Sequence, residues 1–336
     1  MVVLINLQST TFLRRKACMY HIKIILLQCI QNKPRTHGKR INTATYLMTT
    51  SKNLSESVAS IINGKGSKDA KKKALISLGI TNYEATLLTE SLTIHRVAKG
   101  YTFGVEIECL VPRDGVARAA SANGLSYQYE RYNHNDSRDH FKFTTDSSII
   151  GENPIECVSP VLSSKGGFAE LKKCCKTLNE AGAAVNRSTG LHVHIGAADL
   201  TDKQYVRVFI NYQKLERVID SFMARSRRAR NSQYCDTLLD HSFTEDMSKM
   251  DVSIALSCRY HKVNAQSYYA HKTIEFRQHQ GSTDFKKISA WVKFCAKLVE
   301  WSKNHVLSEE VTRIEDIEFL TDTEKRYFAD RARQLA

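Results

Sequence analysis

Glu106 and Glu108, His192 and His194, and Glu275, Arg277 and His279 stand two residues apart within short, apolar-rich stretches. In an extended strand, residues i and i+2 share a face. "VEIEC" therefore puts two carboxylates on one face and Val105, Ile107 and Cys109 on the other. "LHVHI" sets two imidazoles opposite Leu191, Val193 and Ile195, and "IEFRQHQ" sets Glu275, Arg277 and His279 opposite Ile274 and Phe276. A solvated surface could account for any one of these faces. Such a surface usually carries Lys, Thr and Ser in mixture, whereas these three hold carboxylates, imidazoles and a guanidinium. Carboxylates gathered from neighbouring strands repel one another unless divalent cations or Arg277 offset them. Mg²⁺ takes carboxylate oxygens together with water and phosphate oxygens. The Arg fork matches a phosphate or carboxylate bidentately. The chemistry these residues fit is the handling of cations and phosphate.

Two more acids lie between the first and second of these stretches. Glu156 in "IECVSP" has apolar neighbours, so it reads as a carboxylate that is buried and paired or that ligates a metal. Asp146 in "TTDSSI" is open between a turn residue bonding its own backbone and a site residue.

The elements that must position these groups follow from residue 101 onward. "YTFGVEIECLV", "GLHVHIGA" and "KTIEFRQHQ" are expected strands, and "FKFTTDSSI" and "NPIECVSPVL" are shorter extended pieces. Helical spacing of Phe168, Leu171, Cys174, Cys175 and Leu178 predicts a helix over about 167–181. A long amphipathic helix is expected to begin with Thr201 as its cap. A closing helix carries Ile288, Trp291, Val292, Cys295 and Leu298 on its apolar stripe. Strands grouped with long helices point to an α+β sheet with helices packed on one face.

"FGVEIE", "TDSSI", "IECVSP", "GLHVHI" and "TIEFRQHQGS", in this order and at these separations, resemble the amidoligase family over about residues 99–300. That family is related to glutamine synthetase and to glutamate–cysteine ligase-like carboxylate–amine ligases. None of the motifs is specific alone; five in order are. The resemblance implies a curved, mainly antiparallel sheet of glutamine synthetase-like type enclosing the active site, with helices on its outer face. It implies ATP and Mg²⁺ (or Mn²⁺) as cofactors. By similarity Glu106, Glu108, Glu156, His192 and Glu275 would be metal ligands, and Glu275, Arg277 and His192 the catalytic groups. His194, Arg227, Arg228 and Asn264 would lie at the nucleotide, with Arg225 near and Tyr260 lining the nucleotide or substrate pocket. A solvated helix end accounts for the Arg227–Arg228 cluster equally well. The implied reaction joins a small-molecule or peptide carboxylate to an amine through an acyl phosphate.

The 336 residues carry a formal charge of +14, which raises nucleic acid as a partner. Residues 1–98 hold 15 Lys and Arg against four acids, while the remaining 238 hold 34 against 31. The excess therefore belongs to the N-terminal segment, and the larger part lacks the charge of a general phosphate-tracking surface. Residues 1–47 are expected to be a disordered basic leader: either a mitochondrial-type presequence or an extension upstream of a start at Met48. Residues 48–98 read as a small helical region. In it Leu78-Gly79-Ile80-Thr81, beside Lys71, Lys72 and Lys73, resembles a helix-turn-helix. Residues 99–310 form the expected catalytic domain and 311–336 a C-terminal helical tail. Nine cysteines without a CxxC pair argue against a zinc ribbon or secreted disulfide scaffold. No apolar run reaches the roughly 18 residues of a membrane helix, and a cytoplasmic location is expected.

Rival readings remain at this point. His-x-His with carboxylates also serves zinc hydrolases, although about 142 residues after His194 are too few to complete a (β/α)₈ barrel. Cys157 with His192 or His194 would make a thiol hydrolase. A DNA-associated module acting through the N-terminal helical region is the reading from a different class.

Overall fold

A computed structural model describes residues 57, 60–61, 68–80, 101–131, 139–228 and 233–336. The chain divides into two units, Met1–Ile94 and His95–Ala336. In the first, helix α1 (Lys68–Ser77) closes at Gly79, whose φ of +87° is the left-handed conformation a glycine adopts without Cβ strain. Ile80 N then bonds Leu75 O at 3.2 Å, and Leu75 is fully buried. The second helix of the expected helix-turn-helix and the 1–47 leader lie outside the described residues.

The second unit is built on an open sheet. Its strands are β1 (Thr102–Leu110), β2 (Tyr127–Tyr129), β3 (Phe141–Thr144), β4 (Pro154–Val158), β5 (Leu162–Ser163), β6 (Gly190–Gly196), β7 (Val263–Asn264) and β8 (Thr273–Gln280). The order is β2-β3-β4-β1-β6-β8-β7, with β5 on the start of β1. Every pairing is antiparallel except β2 with β3. An open, antiparallel sheet is not the closed parallel barrel of the zinc-hydrolase reading.

Three long helices cover one face because their apolar stripes match the apolar side of the strands. They are α3 (Ser164–Glu180), α4 (Asp202–Ser221) and α7 (Phe285–Ser302). Thr201 caps α4 in a reciprocal box with Gln204: each side chain bonds the other's backbone N–H, at 3.2 and 3.0 Å. Asp284 caps α7 by accepting from Lys286 N and Lys287 N. The stripe Ile288, Trp291, Val292, Cys295 and Leu298 is buried against this face. The described residues also include α2 (Arg113–Asn123), α5 (Lys249–Leu256), α6 (Ser267–His271) and α8 (Asp322–Leu335). None of these helices is long and apolar enough to cross a membrane.

β8 departs from simple alternation. Val193 pairs with Phe276 and Leu191 with His279, so three steps along β8 match two along β6. The extra residue falls at Arg277–Gln278 opposite His192, a β-bulge. Beyond it the faces exchange. Gln278 is fully buried on the helix side, accepting from Tyr212 Oη and donating to Asp220. His279 follows it to that side and lies beside Trp291, ring centroids 5.9 Å apart. The shared face expected for Glu275, Arg277 and His279 therefore holds only for the first two.

A buried ionic network stands behind the bulge. Lys262 Nζ, 1% exposed, reaches Glu216 Oε1 at 2.8 Å and Asp220 Oδ1 at 2.7 Å. Thr237 Oγ1 and Leu238 N also donate to Glu216. Lys262 O in turn accepts from Arg277 N at 2.9 Å, which ties the network to the bulge.

Candidate active site

The face away from the long helices lines a cavity of about 490 Å³. Strand register sets its groups in three tiers. Lys142, Val158, Glu106 and His192 pair in succession across β3, β4, β1 and β6, and the tier ends at the bulge carrying Arg277. In a second tier Thr144 pairs with Glu156 and Glu156 with Glu108. In the third, Gly104 pairs with His194, His194 with Glu275 and Glu275 with Asn264. The strand register thus brings together Glu106, Glu108, His192, His194, Glu275 and Arg277, read from alternation, with Glu156 and Asn264, all of them lining residues.

His192 is the hub. Its Nδ1 lies 2.9 Å from Glu106 Oε2 and 3.6 Å from Glu275 Oε1, and its Nε2 lies 3.6 Å from Glu108 Oε1. Glu275 Oε1 also accepts from Arg277 Nη1, and its Oε2 from Asn264 Nδ2, both at 2.5 Å. Glu108 Oε2 accepts from Gly190 N at 2.6 Å. A Cβ at position 190 would sit 3.1 Å from Arg227 Nη2 and 3.3 Å from Glu108 Oε2. Gly190 is what lets that guanidinium close over the strand.

Burial alone would raise the Glu106 carboxyl, but His192 and His194 beside it hold it well below the usual carboxylate range. Glu275 is likewise lowered against the effect of burial, by Arg277 and both imidazoles. Glu156 goes the other way. Burial and the negative charges of Glu106, Asp146 and Glu108 push it well up, and Lys142 only partly counters them.

Two groups of side chains converge closely enough to hold cations: Glu106, His192 and Glu275, and Glu108, Glu156 and His192. The donor sets fit Mg²⁺ or Mn²⁺, since carboxylate oxygens dominate and one imidazole is shared. Two further observations agree with that fit. The repulsion at Glu156 is of the kind a divalent cation relieves. His194 Nε2 is buried without a hydrogen-bond partner, 3.3 Å from Glu106 Oε1 but out of line for a bond.

The arginine pair separates. Arg227 is buried, donates to Thr189 O at 2.6 Å and lines the cavity. Arg228 points away, donating to Met223 O and Leu335 O at 2.8 Å, so it fastens the end of α8 instead of facing a nucleotide. Arg225 similarly bonds Ala336 O. Asp146 lines the cavity and also closes a turn through Ser148 N at 2.7 Å. Tyr260 is at the wall, with Arg277 5.9 Å from its ring centroid. Cys157 faces the helices, 3.5 Å from Cys174 Sγ, with its thiol pushed up by burial. A thiolate–imidazole pair with His192 or His194 is therefore ruled out.

Sequence reasoning overlooked part of the wall. Lys142, Ser147, Ser148, Ser188, Tyr234 and Arg259 all contribute to it, as do Gln266, Ser267 and His271. Ser267 Oγ and Thr273 Oγ1 meet His194 Nδ1 at 3.2 and 2.9 Å, fixing the ring so that Nε2 faces the acids.

Residues 99–299 match the family model described as "Putative amidoligase enzyme". No curated protein matches the chain. With the match spanning most of its length, the chain belongs to this amidoligase enzyme family.

Proposed function

We propose that the protein is an ATP- and Mg²⁺-dependent carboxylate–amine ligase, cytoplasmic, with a sheet that curves about its site as in glutamine synthetase. The observation that carries this reading is the convergence of two carboxylate–imidazole groups and Arg277 on one cavity wall. A carboxylate is a poor electrophile towards an amine in water. Transfer of the γ-phosphoryl group of ATP to it releases ADP and leaves an acyl phosphate, from which the amine then displaces phosphate. Bound at Glu106, His192 and Glu275, or at Glu108, Glu156 and His192, with the imidazole lone pair serving one cation only, Mg²⁺ would supply charge neutralisation for the phosphoryl oxygens.

The chain's own groups have definable tasks. Arg277 is preorganised by Glu275 to face the phosphoryl oxygens, with no side-chain reorganisation needed during transfer. His192, held on Glu106, sets the spacing between the two ligand groups. His194 offers on that wall a buried Nε2 that has no hydrogen-bond partner. The incoming amine must lose a proton, and the acidic wall is the acceptor.

The test is ADP and phosphate release by purified protein given ATP, Mg²⁺ and pools of acids with amines, followed by mass analysis of products. An amide product with one ADP per bond is expected. Release no greater than that of a Glu106→Gln/Glu275→Gln control, or a phosphorylated product without an amide, would overturn the reading.

A further inference from the structure

We infer that the amine joined at this site carries an apolar chain, seated in a side chamber that opens off the cavity over Gly104. The inference rests on the ligase reading and adds a class of amine to it. The chamber has a volume of about 300 Å³ and lies at the start of β1 and the end of β6. Glu106, Val158, His194 and His271 line it and the main cavity alike, so the two share a wall. Beyond that wall the lining changes character. Val158 at the end of β4 is followed by Pro160 and Val161, and Ala198 lies across from β6. Val161 is 68% exposed, an apolar side chain left with little covering it. Sites for organic groups are built in this way, with apolar walls and a few polar atoms that fix orientation.

Gly104 is an independent sign of a ligand. A glycine inside a strand weakens it, and marks a bulge, a bend or the close approach of a ligand or another backbone. Gly104 pairs with His194 in an unbroken ladder, and its φ is not positive. A Cβ there would meet only His194 Cβ and Ser159 Oγ, each at the ordinary contact distance of 3.7 Å. Neither backbone conformation nor packing requires glycine at this position. What its missing side chain leaves open is the floor of the chamber.

Position assigns the chamber to the amine. Arg227 lies over Gly190 at one end of β6, and Arg277 stands at the bulge opposite His192 in the middle. The chamber is at Gly196, the other end, about 20 Å from Gly190 along the strand. Phosphate and the reacting carboxylate go to the guanidiniums and cations, so the amine comes from the opposite end, past Glu106 and His194. The polar atoms there suit it. Glu106 Oε1 is an acceptor, and His194 Nε2, 3.3 Å away, is buried without a hydrogen-bond partner. Lys272 is the cation of this rim and lies over the Tyr268 ring at 4.8 Å. With its nitrogen at the shared wall, the amine has the apolar chamber as the place for its chain.

Calorimetric titration tests this. The full chain, with Mn²⁺ and a non-hydrolysable ATP analogue, is titrated with methylamine, isopentylamine and isocaproate. Isopentylamine is expected to bind at least about 10-fold more tightly than methylamine, since each buried methylene changes affinity roughly fourfold. Gly104→Val, a residue that suits a strand, should cut that preference to about threefold or less while Mn²⁺ and the ATP analogue still bind. Equal binding of the two amines, binding of neither, or a preference that survives in a folded Gly104→Val protein overturns the inference. Isocaproate that binds more tightly than isopentylamine and is lost in Gly104→Val gives the chamber to the acid. Loss of the ATP analogue in that variant gives it to the nucleotide, and either result also overturns the inference. A melting scan reports folding, and the wild-type panel alone decides the matter if the variant unfolds. ADP release is read separately: a chain preference without ADP release keeps the chamber and sinks the ligase, whereas amide formation without the preference does the reverse.

Discussion

His192 Nδ1 and Glu106 Oε2 meet at 2.9 Å across the β1–β6 ladder, where the two residues are direct register partners. The contact places the single imidazole shared by both ligand groups against a carboxylate held well below the usual carboxylate range. Each group therefore depends on the position of the same ring.

That dependence makes Glu106→Gln informative. Losing a partner that merely orients a ligand costs about 10–100-fold in metal affinity, and Glu106 is placed both to ligate and to orient. Mn²⁺ affinity, read by paramagnetic resonance, should fall at least about 100-fold with little change in melting temperature. Unaltered Mn²⁺ binding would show that the ladder pair is structural.

Arg227 and Arg228 should part company on substitution. Arg227→Ala removes a cavity-lining guanidinium and should weaken nucleotide or acid binding. Arg228→Ala deletes bonds to Met223 O and Leu335 O, and should cost stability of about 1–3 kcal/mol while leaving ligand binding intact. Paired denaturation and binding curves check both. Loss of nucleotide affinity in a well-folded Arg228→Ala protein would contradict the geometry.

His279 gives the fold an acid-sensitive point away from the cavity. Burial pushes its pKa from 6.5 down to about 4, with the cations Arg331, Arg227 and Lys287 adding to the effect. The folded chain thus keeps this ring neutral, while the unfolded chain takes up a proton below about pH 6.5. The stability is complete above that pH and is lost as pH falls from 6.5 towards 4, by an amount on the order of 3 kcal/mol. Urea unfolding at pH 7 and pH 4.5 should show the loss, and His279→Gln should flatten it. An identical pH slope in the variant would remove His279 as the cause.

Lys262→Met leaves Glu216 and Asp220 in the interior without their cation. Removing one partner of a buried pair typically costs about 3–5 kcal/mol. A loss below about 1 kcal/mol on urea unfolding would mean that the neighbouring donors Thr237, Leu238 and Gln278 satisfy the acids by themselves.

The sequence was most legible where alternation is pure. Val105, Ile107 and Cys109 against Glu106 and Glu108 can be read in only one way, and the structure keeps that division. Alternation misleads at His279, because a bulge is a property of two strands and the single strand "EFRQHQ" carries no glycine to announce it. Lys142 passed unnoticed because Phe141-Lys142-Phe143-Thr144 looks like a half-solvated strand, whereas all four residues are buried. Helix α2 was overlooked because its inner face is Gly115, Val116, Ala119 and Ala120, too small to give an apolar period. Gly115 packs so closely that a Cβ there would stand 2.8 Å from Ala181 O. Ser267 and His271 come from a five-residue helix, too short for periodicity to show.

The extra residue in β8 gives the site a rear entrance for change. Gln278 sits next to Arg277 in the chain, and its amide also bonds Asp220 and, at 3.3 Å, Arg227 O. The backbone at Arg227 and the strand carrying Arg277 are thus tied to groups on the far side of the sheet. A substitution at Asp220 or Gln278 would shift the backbone that carries Arg277 and Arg227 without changing a residue of the cavity wall, a route by which selection or design could retune the enzyme.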